Sequence, residues 1–138
     1  MAATDSGRLY ALDTNTLSYF LRGEGGVARK LSTISADHLG VPSVVAYELR
    51  YGLQRIAAGP RRSAELTRLL SALAPLPFDA AAAELAAHLR ADLETRGEII
   101  GSFDLLIAAT ALAHNAILVT RNRREFERVS LLQTEDWY

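Results

Sequence analysis

Leu9-Tyr10-Ala11-Leu12-Asp13-Thr14-Asn15 is the stretch that decides the fold. A short run of β-formers stops at a carboxylate flanked by small hydrogen-bonding side chains. Such a stop sets the acid at the carboxyl edge of a sheet, where open α/β sheets bind their ligands. An Asp there also serves as a turn or helix cap, so the stretch alone leaves both roles open. Two later acids in apolar surroundings add weight. Glu48 lies within Val44-Val45-Ala46-Tyr47-Glu48-Leu49, and Asp104 within Ile99-Ile100-Gly101-Ser102-Phe103-Asp104-Leu105-Leu106-Ile107. Burying three carboxylates is costly unless something neutralises them. One shared divalent metal ion would serve all three.

Outward from this stretch, short apolar runs alternate with helical ones. Strands are expected at residues 8–12, 38–41, 73–78, 116–120 and 131–133, the third demoted to an edge by Pro75 and Pro77. Helices are expected at 16–21, 27–35, 43–58, 62–73, 80–96, 103–114 and 123–127. Ser43, Asp79 and Ser102 are the expected N-caps, Gly97 a C-terminal stop and Asn115 a left-handed terminator. Gly23-Glu24-Gly25-Gly26 and Gly59-Pro60 read as turns. Strands separated by helices pair in parallel through right-handed crossovers. No linker, repeat or low-complexity segment interrupts the pattern. The expectation is one domain over residues 1–138, an α/β fold. It is a three-layer α/β/α sandwich on a central, mainly parallel sheet of about four to five strands.

Composition narrows the function. An apolar fraction of 49% with 22% charged residues is that of a globular protein. The absence of Cys rules out disulfides, zinc ribbons and thiol chemistry, and suits a reducing cytoplasm. No run approaches a membrane span, and the amino terminus lacks the basic and apolar regions of a signal peptide, so a cytoplasmic protein without membrane contact is expected. A net charge of −1 does not advertise nucleic-acid binding. Acids gathered at one site would nevertheless mask a basic groove. Arg121, Arg123, Arg124 and Arg128 crowd one segment, and Arg61 and Arg62 form a second pair. A solvated helix face explains any one of them equally well.

Asp13 ends the first strand, Glu48 falls in the second turn of its helix and Asp104 in the first turn of another. The helix dipole favours acids at those positions. Clustered within about 4–6 Å, they would repel and retain a proton unless a cation intervened. Oxygen-only donors select hard ions such as Mg²⁺ or Mn²⁺, and His38, His88 and His114 show no ligand spacing. An ion so held suits phosphoryl chemistry: it orients a water, lowers its pKa and neutralises charge on the phosphate. Asn15, Thr120 and Asn122 offer neutral hydrogen bonds that could orient the acids. An ordinary strand-to-helix turn capped by Asn122 accounts for the last two as well.

These segments together resemble the PIN-domain ribonucleases, and among them the VapC-type toxins of bacterial toxin–antitoxin pairs. Leu12-Asp13-Thr14-Asn15 resembles the opening motif, and Ser43 through Glu48-Leu49 with Tyr51-Gly52 the second. Gly97 through Ile100-Gly101, then Asp104 with Leu106-Ile107-Ala108-Ala109, resembles the third. Leu118-Val119-Thr120-Arg121-Asn122 with Phe126 resembles the closing strand and turn, and Glu135-Asp136-Trp137 the ending of one VapC branch. The resemblance implies that Asp13, Glu48 and Asp104 hold Mg²⁺ or Mn²⁺. It implies that metal-activated water hydrolyses an RNA phosphodiester, leaving 5′-phosphate and 3′-hydroxyl ends. Many relatives carry a fourth acid near the closing turn. Here Asn122 stands at one candidate position and Glu125 at another, although Glu125 could equally pair with a neighbouring Arg on a solvated helix.

Arg121, Arg123 and Arg124 adjoin that turn and are the candidates for contacts to RNA phosphates. By the same resemblance, the partners are an RNA substrate, a cognate antitoxin and a second copy of the chain. Tyr47, Tyr51 and Leu53 give the Glu48 helix apolar residues on more than one face, so one face needs cover from a second chain. Cover by the helix at 62–73 is the alternative. Three other readings compete: an inert PIN-fold module binding RNA or protein, a haloacid-dehalogenase-type phosphatase and a receiver domain. The phosphatase would need an acid where Asn15 stands, and the receiver an early acidic pair that the chain lacks.

Overall fold

Tyr10, Ala11 and Leu12 are all buried, and a strand covered on both faces belongs in the middle of a parallel sheet. That is where the computed structural model sets it. The structure describes residues 7–138, so the first six residues of the expected domain lie outside the described residues. The strands are β1 (Leu9–Leu12), β2 (Leu39–Pro42), β3 (Ala74–Leu76), β4 (Ala116–Val119) and β5 (Thr134–Glu135). The helices are α1 (Thr14–Arg22), α2 (Val27–Leu31), α3 (Ser43–Arg55), α4 (Pro60–Ala72), α5 (Ala80–Arg96), α6 (Ser102–Ala113) and α7 (Arg123–Phe126). A 3-10 turn at Ala36–His38 precedes β2.

The five strands lie in the order β3-β2-β1-β4-β5, and every pairing is parallel. The chain winds one way from β1 through β3, then returns to β4 on the other side. The order therefore reverses between β1 and β4, and the crevice beyond their carboxyl ends is where such sheets bind ligands. Leu12 and Val119 stand in register there. Asp13 and Thr120 follow directly. The core fills both faces of the sheet, with Leu12, Leu118 and Val119 meeting Leu17, Val45 and Ile107 from the helices. Nearly every residue of α6 from Leu105 to Ala111 is buried. The first turn of α6, with Asp104, lies outside that buried stretch and is accessible.

Several boundaries differ from expectation for identifiable reasons. α1 starts at Thr14 rather than 16, because Asp13 itself is the cap and its carboxylate accepts from the Thr16 N–H. Ser43 and Ser102 are not caps. Each is the first helical residue, while Pro42 and Gly101 take the extended cap geometry without a side-chain bond. α2 stops at Leu31 because the Ser32 and Thr33 hydroxyls bond back to the carbonyls of Arg29 and Lys30. Pro60 opens α4 as a first-turn proline, two residues early. The last strand falls at 134–135 instead of 131–133, since Leu131 adopts a φ of 68° and is 92% exposed. The Asp79 cap, the Gly97 stop and left-handed Asn115 stand as expected.

Candidate active site

Asp13 sits at the β1–β4 reversal and is only 7% exposed. Its backbone N–H donates to the Val119 carbonyl at 3.1 Å, continuing the sheet one residue past the strand. Its carboxylate accepts from the Thr16 N–H at 2.9 Å and from the buried Thr120 hydroxyl. The cap role and the site role thus belong to the same side chain. Burial pushes the Asp13 pKa up, and the bonds from Thr120 and Thr16 hold it back. The Thr16 hydroxyl donates to the Val119 carbonyl at 3.2 Å and locks α1 to β4.

Glu48, half-buried on α3, accepts from the Thr14 hydroxyl at 2.6 Å. Asp104, half-buried at the start of α6, is the point on which the acids converge. Its carboxyl is raised from 3.8 to about 7, first by burial, then by the hydrogen bond and charge of Glu125, and then by the charges of Asp13 and Glu48. Four acids from β1, α3, α6 and α7 therefore share one field. Phe126, 1% exposed, anchors α7, and the Asn122 amide donates to the Glu125 carboxylate at 3.2 Å.

Of the two arrangements expected for Glu125, the structure has the one at the acids. No Arg pairs with it among the described residues, and it faces Asp104 instead. Asn122 does not cap α7 through its side chain. Its N–H donates to the Thr120 hydroxyl at 3.0 Å, so Thr120 links Asn122 to Asp13. Thr14 and Thr16 were not singled out in the sequence. Their signal lay in the hydroxyl-rich Asp13-Thr14-Asn15-Thr16 run at a helix start, where each hydroxyl has a carboxylate or a carbonyl within reach. Asn15 is exposed and makes no side-chain hydrogen bond among the described residues.

The three arginines diverge. Arg121 lies against the rings of Tyr138 and Tyr19. Arg123 donates to the Thr134 hydroxyl at 3.1 Å on the β5 side. Arg124 is exposed.

Among the described residues no three acidic or histidine side chains are already gathered tightly enough to hold one ion. Asp13 and Glu48 are bonded to threonines and Asp104 to Glu125. The donor chemistry nonetheless fits a hard divalent cation. All donors are oxygen and all are carboxylates, and after burial it is the hydrogen bond and charges of the other acids that raise Asp104. A cleft of about 650 Å³ between α1, α3 and α4 runs up to Glu48 and Thr14, with Leu49, Leu53, Ile56 and Leu66 along it.

The PIN domain family matches residues 10–132. The chain belongs to the PIN-domain family. A tRNA(fMet)-specific endonuclease VapC from Shigella flexneri is 35% identical over 128 residues, covering 93% of this chain and 97% of that one. Ribonuclease VapC2 from Rickettsia felis is 35% identical over 131 residues, covering 94% and 98%. Among solved structures, VapBC2 from Rickettsia felis bound to a promoter DNA fragment superposes with a TM-score of 0.87 at 34% identity, covering 94% of this chain and 99% of that one. DNA-bound VapBC from Salmonella typhimurium gives 0.87 at 29% identity, covering 95% and 99%. This PIN domain is thus of the VapC ribonuclease type, the toxin of a toxin–antitoxin system. PIN nucleases generally use divalent metal ions. No helix among the described residues is long and apolar enough to cross a membrane.

Proposed function

We infer that this chain is an endoribonuclease whose Asp13, Glu48 and Asp104 carboxylates hold Mg²⁺ or Mn²⁺, with Glu125 completing the acid set. The observation that supports it best is the convergence of four acids on Asp104 at the sheet reversal. When bound, the ion supplies an activated water and neutralises charge on the phosphate, leaving 5′-phosphate and 3′-hydroxyl ends. The chain's own residues do the positioning. Thr120 and the Thr16 amide fix the Asp13 carboxylate, Thr14 fixes Glu48, and Asn122 fixes Glu125. Arg121, Arg123 and Arg124 are the cations we assign to the RNA backbone. The Shigella relative's name makes initiator tRNA the first substrate to try, and a cytoplasmic setting follows from an RNA substrate.

The reading extends to two protein partners. An antitoxin tail suits the cleft between α1, α3 and α4, because that groove leads apolar residues directly to Glu48. A second copy suits the outer face of α3 and α6. Tyr47 and Tyr51 remain 53% and 54% exposed after α4 has packed, stacked 14° from parallel, with Phe103 beside Tyr47. Purified protein incubated with tRNA and Mn²⁺ tests the reaction. Cleavage is expected to stop in excess chelator and in Asp13→Asn. Full cleavage in either overturns the metal assignment.

A further inference from the structure

The Gly23–Gly26 turn has no part in the acid site, yet it is built to close tolerances around one side chain. Gly25 adopts a φ of 67°, and a Cβ there would stand 2.7 Å from Tyr138 Cδ2. The Gly26 N–H donates to the Tyr138 carbonyl oxygen at 2.5 Å. Trp137 fixes the approach. It is buried, tilted against Tyr10 at 5.1 Å, and its indole N–H donates to Glu135 at 2.9 Å. Tyr138 is thereby seated over α1, edge-on to Tyr19 at 4.8 Å.

The two rings hold a cation. The Arg121 guanidinium carbon lies 3.6 Å from the Tyr138 ring centre and 5.7 Å from that of Tyr19. Among the described residues no carboxylate lies within ion-pair distance of Arg121, whereas Arg22, also over Tyr19, is paired with Glu24. The Tyr19 and Tyr138 side chains also hydrogen-bond to the Arg121 guanidinium, but a guanidinium carries five N–H donors, so stacking and these two contacts still leave it in-plane donors to spare. Those donors suit the planar, bidentate recognition of a phosphate. Location adds the second argument. Arg121 follows Thr120, which bonds Asp13, and Tyr19 stands six positions along α1 from its Asp13 cap, about 9 Å at 1.5 Å per residue. The held cation thus belongs to the residue next in sequence to one that bonds Asp13.

We propose that Tyr138, with Tyr19, is a positioning residue that fixes the Arg121 guanidinium to take an RNA phosphate flanking the scissile one. This rests on the ribonuclease reading above. A strapped arginine binds with less ordering cost than a free surface one, because its side chain is already immobilised. The Gly25-Gly26 pair then has a functional reason. It makes room for the ring that holds the arginine.

The test uses a labelled single-stranded RNA, bound in chelator across a salt series and cleaved with Mn²⁺. Arg121→Ala is expected to lower the slope of log affinity against log salt by about 0.7, one phosphate contact on a single strand. It is expected to raise KM about fivefold with a far smaller change in kcat. Tyr138→Leu, which keeps apolar bulk but lacks a π face, moves slope and KM in the same direction. Combined with Arg121→Ala it adds nothing, and Tyr138→Phe, which keeps the π face and loses only the hydroxyl, stays closer to the wild-type values than Tyr138→Leu does. A loss of Tm in Tyr138→Leu with unchanged slope and KM, or additive effects in the double variant, overturns the proposal and leaves the stack as packing. Should Tyr138→Leu not fold, Tyr19→Leu carries the same comparison. Wild-type cleavage with an unaltered Arg121→Ala refutes this inference alone. A wild type that neither binds nor cuts RNA refutes the ribonuclease reading with it.

Discussion

Asp104→Asn is expected to stabilise the metal-free protein, and by more as pH rises. The Asp104 carboxyl is raised from 3.8 to about 7 by burial, then by Glu125 and by the charges of Asp13 and Glu48. Across that window the folded chain keeps a proton that the unfolded chain has released. Its contribution to stability is therefore full below the unfolded value of 3.8 and is lost as pH rises through about 7. A shift of about three units at 1.36 kcal/mol each would amount to about 4 kcal/mol. Asp104 is only half-buried, so water screens the cluster and about 1–2 kcal/mol is the expected scale. Asparagine presents an N–H donor where the protonated acid donated to Glu125, and it does not titrate. Urea unfolding in excess chelator at pH 5 and pH 8 makes the measurement. The variant's gain over wild type should be larger at pH 8 by about 1 kcal/mol, since about two of the three units fall in that interval. An equal gain at both pH values, or a larger one at pH 5, refutes the four-acid cluster.

Saturating Mn²⁺ should raise the Tm of the wild type and have much less effect on Asp104→Asn, as read by thermal unfolding with and without chelator. Phe126→Ala should cost about 3–5 kcal/mol, since the side chain is fully buried, and cleavage should fall with it because α7 carries Glu125. Tyr51→Glu should convert a dimer into a monomer by light scattering with little change in Tm, while an unchanged mass excludes this face as the dimer contact. A protein that is already monomeric at high concentration excludes the dimer itself.

The alternating pattern carried most of the fold. Parallel pairing, the helix before β4 and left-handed Asn115 were all legible from local residues, because apolar runs and turn residues are set locally. What escaped depends on tertiary partners. β5 is two residues long and exists because β4 pairs with it and Trp137 packs on Tyr10, so Leu131-Leu132 drew the reading to the wrong place. Serine before a helix suggested caps at Ser43 and Ser102, but the Pro42 and Gly101 backbones had already taken the extended geometry. That Asp13, Glu48 and Asp104 lie near one another was legible from strand end and helix starts. Glu125 was ambiguous, since only the packing of Phe126 tells which way a one-turn helix aims its carboxylate.

The central position of β1 has a consequence for how the protein is made. β1 waits for β4 as its partner on one side, and the Thr16 hydroxyl and Val119 carbonyl that lock α1 to β4 lie 103 residues apart. Such non-local pairing forms late in folding. Asp13 cannot be fixed by Thr120 until the chain through β4 is available. The surroundings of Asp13 are thus completed only when β4 docks, so the acid cluster assembles together with the sheet and not ahead of it.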